Sequence, residues 1–140
     1  MPRFVVVFDT NVLFSAIGWA GTPRRCLDLA QGGAMDAITC EPIMEELAAK
    51  LGRKLAFSDR QVLETTLHLM RFMRPVAITG TMTGLCADPK DDMVLECALA
   101  ASATHVVSGD KKHLLALRQF RGIPIISPAE LERVVAPGTP

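Results

Sequence analysis

Four stretches of this chain carry carboxylates in positions from which they could act together. Asp9 follows the apolar run Phe4-Val5-Val6-Val7-Phe8; Glu46 lies in Ile43-Met44-Glu45-Glu46-Leu47; Asp91 and Asp92 close Asp88-Pro89-Lys90-Asp91-Asp92; Asp110 ends Val106-Val107-Ser108-Gly109-Asp110. Only Lys90, Lys111 and Lys112 lie near these acids in sequence. Carboxylates meeting with so few cations repel one another, at a cost on the order of 4 kcal/mol per like pair at about 4 Å and an effective dielectric near 20. Either some of them hold protons to higher pH than usual, or a divalent cation binds the set. Oxygen donors without a histidine or cysteine pair suit Mg²⁺ or Mn²⁺ better than Zn²⁺. Such a site activates water and neutralises a phosphate oxygen during in-line displacement.

Whether the acids meet depends on the elements that carry them. Phe4 to Phe8 reads as a strand buried on both faces, the pattern of a central parallel strand. Asp9, Thr10 and Asn11 then fall at its carboxyl end, where open α/β sheets bind ligands. Further strands are expected over Ala34 to Cys40, Val76 to Ile78, His105 to Ser108 and Ile123 to Ile126. Helices are expected over Val12 to Ile17, from a Thr22 cap and Pro23 to Gly32, from Pro42 to Gly52, from the Ser58 and Gln61 capping box to Pro75, after Asp91-Asp92, through Leu114, Leu115 and Leu117, and from Ser127-Pro128. The helix after Asp92 is apolar nearly all round and should be deeply packed.

Alternating strands and helices with short connections predict a three-layer α/β/α fold with a mostly parallel sheet of about five strands. Right-handed crossovers bring the strand-to-helix loops to one edge, so Asp9, the Asp91-Asp92 loop and Asp110 should face one crevice. On a helical wheel at about 100° per residue, Ile43, Met44, Leu47 and Leu51 form the inner face. Glu46 lies about 60° beyond its edge and Glu45 nearly opposite, so Glu46 is the helix acid that can reach inward. Taken singly, each aspartate also reads as an ordinary cap or turn residue. Their joint placement is what points to chemistry.

Size and composition set the frame. The 140 residues suit one domain, expected over residues 1–136 with a loose tail at 137–140. Hydrophobic residues make up 49% and charged residues 21%, a globular balance. Lysine plus arginine matches aspartate plus glutamate at 15 each, so no global basic field draws in nucleic acid. No apolar run reaches the roughly 18 residues of a membrane helix, and a cytoplasmic protein is expected. Cys26, Cys40, Cys86 and Cys97 contain no C-x-x-C pair and read as buried free thiols.

These motifs, in this order and spacing from Phe4 to about Glu132, resemble the PIN-domain family, most closely its bacterial toxin-like branch of VapC-type relatives. The resemblance implies a ribonuclease that cuts phosphodiester bonds with Mg²⁺ or Mn²⁺, frequent homodimers, and a small antitoxin covering the site. Carried over by motif, Asp9 is the central metal ligand with Asn11 supporting its loop. Glu46 is the helix acid, Asp91 the third acid and Asp110 the fourth, while Thr10 and Ser108 supply supporting hydroxyls. Periodicity leaves Asp91 and Asp92 open as the third acid; the spacing from Asp88 favours Asp91. Ser108 stands where relatives usually carry Thr, which keeps the hydroxyl.

Arg24, Arg25, Arg53 and Lys54 are the candidates for holding RNA phosphates. His68, His105 and His113 read as structural or surface residues. Trp19, in a glycine loop, suits base stacking or an interface. A dehalogenase-type phosphatase would need an acid at Asn11, and no Gly-rich phosphate loop is present. The remaining rival is a non-catalytic α/β module that binds RNA or protein.

Overall fold

The structure is a computed structural model that describes residues 3–135. Its strands are β1 (Val5–Phe8), β2 (Asp36–Thr39), β3 (Met73–Pro75), β4 (His105–Val107), β5 (Gln119–Phe120) and β6 (Ile123–Ile126). Its helices are α1 (Thr10–Gly18), α2 (Thr22–Gln31), α3 (Glu41–Leu55), α4 (Asp59–Leu69), α5 (Pro89–Ala100), α6 (Leu114–Leu117) and α7 (Pro128–Val135). The sheet runs β3-β2-β1-β4-β6-β5, all parallel except β5, which pairs antiparallel with β6. The three-layer α/β expectation holds, with six strands rather than five. The extra strand is a two-residue edge whose short length gives no alternation to read.

β1 lies between β2 and β4 with Val6, Val7 and Phe8 buried. The chain moves outward from β1 to β2 and β3, then returns to β4 on the other side. Right-handed crossovers in opposite directions put α1 to α4 on one face and α5 on the other. α1 accordingly packs on α2 and α3, and α5 on β1, β2 and β4. The reversal between β1 and β4 makes a switch point, where a crevice opens beyond the strand ends. α5 buries Val94, Leu95, Cys97 and Ala98 as its apolar surface requires, and also Glu96.

Several boundaries differ from the sequence reading. α4 stops at Leu69, and Met73 to Pro75 form edge strand β3, where a proline need donate no ladder bond. Val76 to Ile78 lie beyond that strand, with the Val76 amide still donating to Thr39 O at 2.9 Å. Thr22 is the first residue of α2; its cap is Gly21, whose φ of 146° takes the bend. α3 passes through Gly52 and ends at Leu55, followed by Ala56 at a left-handed φ of 55°. α5 starts two residues before Asp91, with Asp88 as its N-cap accepting from the Lys90 amide. The capping box of Ser58 and Gln61 is present in full. The four cysteines are free, three buried and Cys86 half-buried. No helix among the described residues is long and apolar enough to cross a membrane. The expected tail at 137–140 lies outside the described residues.

Candidate metal centre

The site grows from the end of β1. Asp9 follows the last strand residue directly and caps α1, its Oδ1 accepting from the Val12 amide at 2.9 Å. An aspartate suits this position because its carboxylate satisfies one of the free amides of the helix start. Its Oδ2 accepts from Ser108 Oγ at 2.5 Å. Ser108, fully buried past the end of β4, also accepts from the Asp110 amide at 3.1 Å. One hydroxyl thus ties together the two loops that carry acids. Thr10 is buried next to Asp9, while Asn11 is exposed and accepts from Lys50 Nζ.

Burial raises the pKa of Asp9, against the hydroxyl of Ser108 and the amides of Val12 and Asn11, and the charge of Asp110 adds to the rise. Asp91, in the first turn of α5, is pushed up to about 6 by burial and then by the like charges of Asp88, Asp9 and Asp110. Asp110 moves the other way. Burial alone would raise it, but a hydrogen bond with His113 Nδ1 at 2.6 Å and the Lys112 amide hold it below the usual carboxylate range. Asp9, Asp91 and Asp110 therefore share one electrostatic neighbourhood.

Glu46 stands on α3 at the margin of the core, linked to the other acids through lysines: Lys90 directly precedes Asp91, and Glu46 and Asp9 both act on Lys50. Glu46 Oε2 is buried without a hydrogen bond, and Lys90 Nζ lies 3.2 Å away as an ion pair. Lys50, one turn further along α3, rests 4.6 Å over the Phe14 ring. Burial and the charge of Lys54 lower its pKa, while Glu46 and Asp9 raise it. Asp92 is directed elsewhere: it is buried and accepts from the Cys86 amide at 2.7 Å, fastening the loop before α5. Asp88 serves as the cap of α5.

The basic candidates divide. Arg24 donates to the carbonyls of Ala16 and Ile17 at 2.9 Å each, closing the end of α1, and Arg25 pairs with Glu132 at 2.7 Å. Both are engaged in holding helices. Arg53 and Lys54 are exposed in the last turn of α3, and Arg53 shares a cleft of roughly 340 Å³ with Glu46, Lys90 and Met93. A second cleft, roughly 270 Å³, lies between Asn11 and Asp110. A larger hollow of roughly 500 Å³ is lined by Glu41, Glu45 and Pro75 to Ile78, away from Asp9, Asp91 and Asp110.

Among the described residues, no three acids, histidines or cysteines close around a single point with the side chains as they stand. The donor set nonetheless fits a hard cation. It is all oxygen, it contains a buried carboxylate oxygen without a hydrogen bond, and it includes an aspartate whose carboxyl is pushed up by burial and by its acidic neighbours. Lys50 escaped the sequence reading, although it stands four residues after Glu46, a spacing that carries the signal. His113, expected to be a structural or surface residue, stands three after Asp110 and bonds its carboxylate.

A search of curated proteins finds no match. Among solved structures, the chain is similar to one in the crystal structure of VapBC2 from Rickettsia felis bound to a DNA fragment from their promoter. The TM-score is 0.62 at 12% sequence identity, covering 89% of this chain and 98% of that one. At that identity the likeness speaks for the fold. A sequence model of the PIN domain matches residues 5–112. With that match spanning well over half of its length, from the strand leading to Asp9 to the loop holding Asp110, the chain belongs to the PIN-domain family.

Proposed function

We propose that this PIN-domain chain is a metal-dependent endoribonuclease, the toxin member of a toxin–antitoxin pair, that holds Mg²⁺ or Mn²⁺ through Asp9, Glu46, Asp91 and Asp110. The observation that carries this reading is geometric: Ser108 donates to buried Asp9 and accepts from the Asp110 amide, and Asp91 lies close enough that, after burial, the charges of Asp88, Asp9 and Asp110 push its carboxyl up to about 6. Acids from three separate elements are near enough to repel, and a divalent cation is what would relieve them. When bound, that cation neutralises phosphate charge and acidifies a water.

The chain's own part is orientation. Ser108 and the Val12 amide fix both oxygens of Asp9, so its remaining lone pairs point in few directions. His113 and the Lys112 amide do the same for Asp110. Arg53, which lines the cleft at Glu46, and the exposed Lys54 that follows it suit the phosphates of a single strand, with an affinity that falls as salt rises. Arg24 and Arg25 are too engaged for that role.

A partner antitoxin covering the site and a homodimer belong to the same proposal; the similar solved structure is one of VapBC2 bound to a DNA fragment from their promoter. A neighbouring gene for a small DNA-binding protein would support the toxin assignment. The test of the nuclease is cleavage of single-stranded RNA with Mn²⁺ or Mg²⁺, compared between wild type and Asp9→Asn. Cleavage that needs metal and disappears in the variant supports it; equal cleavage by both, or none from folded, metal-loaded protein, overturns it. The second reading, an RNA- or protein-binding module without catalysis, has one observation in its favour. Glu46 and Asp110 already have basic partners in Lys90 and His113.

A further inference from the structure

We propose that Lys90 is a built-in counter-ion for Glu46, and that the divalent cation must displace its ammonium to reach that carboxylate. This rests on the metal-centre reading above and concerns how the centre is loaded. Glu46 Oε2 is buried and accepts no hydrogen bond, yet it is not alone: Lys90 Nζ lies 3.2 Å from it. A buried carboxylate oxygen needs compensation of some kind. In the metal-free protein that compensation comes from Lys90.

The two partners differ in freedom. The Glu46 side chain is 20% exposed and that of Lys90 is 64% exposed. An ammonium on a flexible stem at the surface returns to water at little cost, and an ion pair of this exposure is weak. The Lys90 backbone stays anchored, because its amide donates to Asp88 Oδ1 at 3.0 Å in the α5 cap. The side chain can therefore leave without moving Asp91, which follows it in the first turn. Lys50, the other lysine near Glu46, is less able to exchange, since it is held by Asn11 and by the Phe14 ring. Once released, the Lys90 ammonium faces the cleft it shares with Arg53. In this arrangement Lys90 is a positioning residue that sets metal affinity through Glu46.

Calorimetric titration of the metal-free full chain with Mn²⁺ at low ionic strength, without RNA, tests this. Lys90→Met should tighten Mn²⁺ binding by about threefold, the size expected for losing one exposed ion pair. Lys90→Arg should keep the wild-type affinity, and Lys111→Met, which removes an exposed lysine with no contact to Glu46, should leave it near wild type. In a Glu46→Gln background the gain from Lys90→Met should vanish; if that background binds no Mn²⁺, the contrast between Lys90→Met and Lys111→Met decides. Unchanged or weaker binding in Lys90→Met overturns the proposal. So does an equal gain in Lys111→Met, or a gain that survives Glu46→Gln. If wild type and Asp9→Asn alike take up no Mn²⁺, the metal centre itself fails and the counter-ion proposal falls with it, an outcome distinct from normal binding that ignores Lys90.

Discussion

Asp9 at the sheet rim and Glu96 inside α5 are buried almost equally, at 4% and 6% exposure, yet their carboxyls shift in opposite directions. Burial alone would raise Glu96. It is outweighed by the amides of Gly80, Met82 and Thr79 and the Thr79 hydroxyl, which hold Glu96 below the usual carboxylate range. Asp9 accepts from the Val12 amide and the Ser108 hydroxyl, but burial outweighs these donors, the charge of Asp110 adds to it, and its pKa stays raised. Depth is therefore a poor guide to what a buried acid does. A carboxylate filled with donors holds structure together; one left short of positive charge is free to take a cation.

The widest break in this comparison should come from making each acid an amide. Asp9→Asn still caps α1 and relieves repulsion, so its melting temperature should equal or exceed wild type while metal-dependent cleavage falls by about 100-fold or more. A parallel loss of folding would assign Asp9 to structure instead. Glu96→Gln should do the reverse. Thermal or denaturant unfolding should show a loss of about 2 kcal/mol, because an amide cannot replace the charged acceptor of three backbone amides and a hydroxyl. Wild-type stability in that variant would refute the donor argument.

A smaller effect lies in the pH dependence of stability without metal. Asp91 binds its proton more tightly folded than unfolded, so the native state loses stability as pH rises from about 4 towards its folded value of about 6. Glu96 binds its proton less tightly folded, so its contribution is present above its unfolded pKa and is lost as pH falls through the lower folded one. Melting temperature measured across pH should thus peak at about pH 4, where the Asp91 loss begins and the Glu96 gain is nearly complete, and saturating Mn²⁺ should flatten the fall on the neutral side. The smallest change is Asp92→Asn. It keeps an acceptor for the Cys86 amide, so stability should move by about 1 kcal/mol or less and cleavage should persist, whereas Asp91→Asn should abolish cleavage.

The rim could be read in the sequence because its grammar is local. A five-residue apolar run that turns abruptly to Asp, Thr and Asn announces both a central strand and the place where it ends. Glu96 could not be read that way, since a single acid in an otherwise apolar helix carries no mark of the loop that will wrap it. Its donors, Thr79 to Met82, lie 14 to 17 residues earlier in the chain. The engagement of Arg24 and Arg25 was hidden for the same reason: the carbonyls and the glutamate that hold them are set by tertiary packing. The helix expected to run to Pro75 failed because Met70 and Met73 continue a helical spacing by chance, while the partner that makes Met73 to Pro75 a strand is β2. His113 and Lys50 were within reach, at spacings of three and four residues from an acid.

The two margins of the sheet shape how other proteins can approach. β3 ends in Pro75, which lacks an N–H, and β5 offers only two residues. Neither edge gives an incoming strand a useful ladder to extend, a form of protection against edge-to-edge aggregation. Recognition of this molecule by strand addition is therefore disfavoured, and a binding protein has to grip it by helix surfaces and loops.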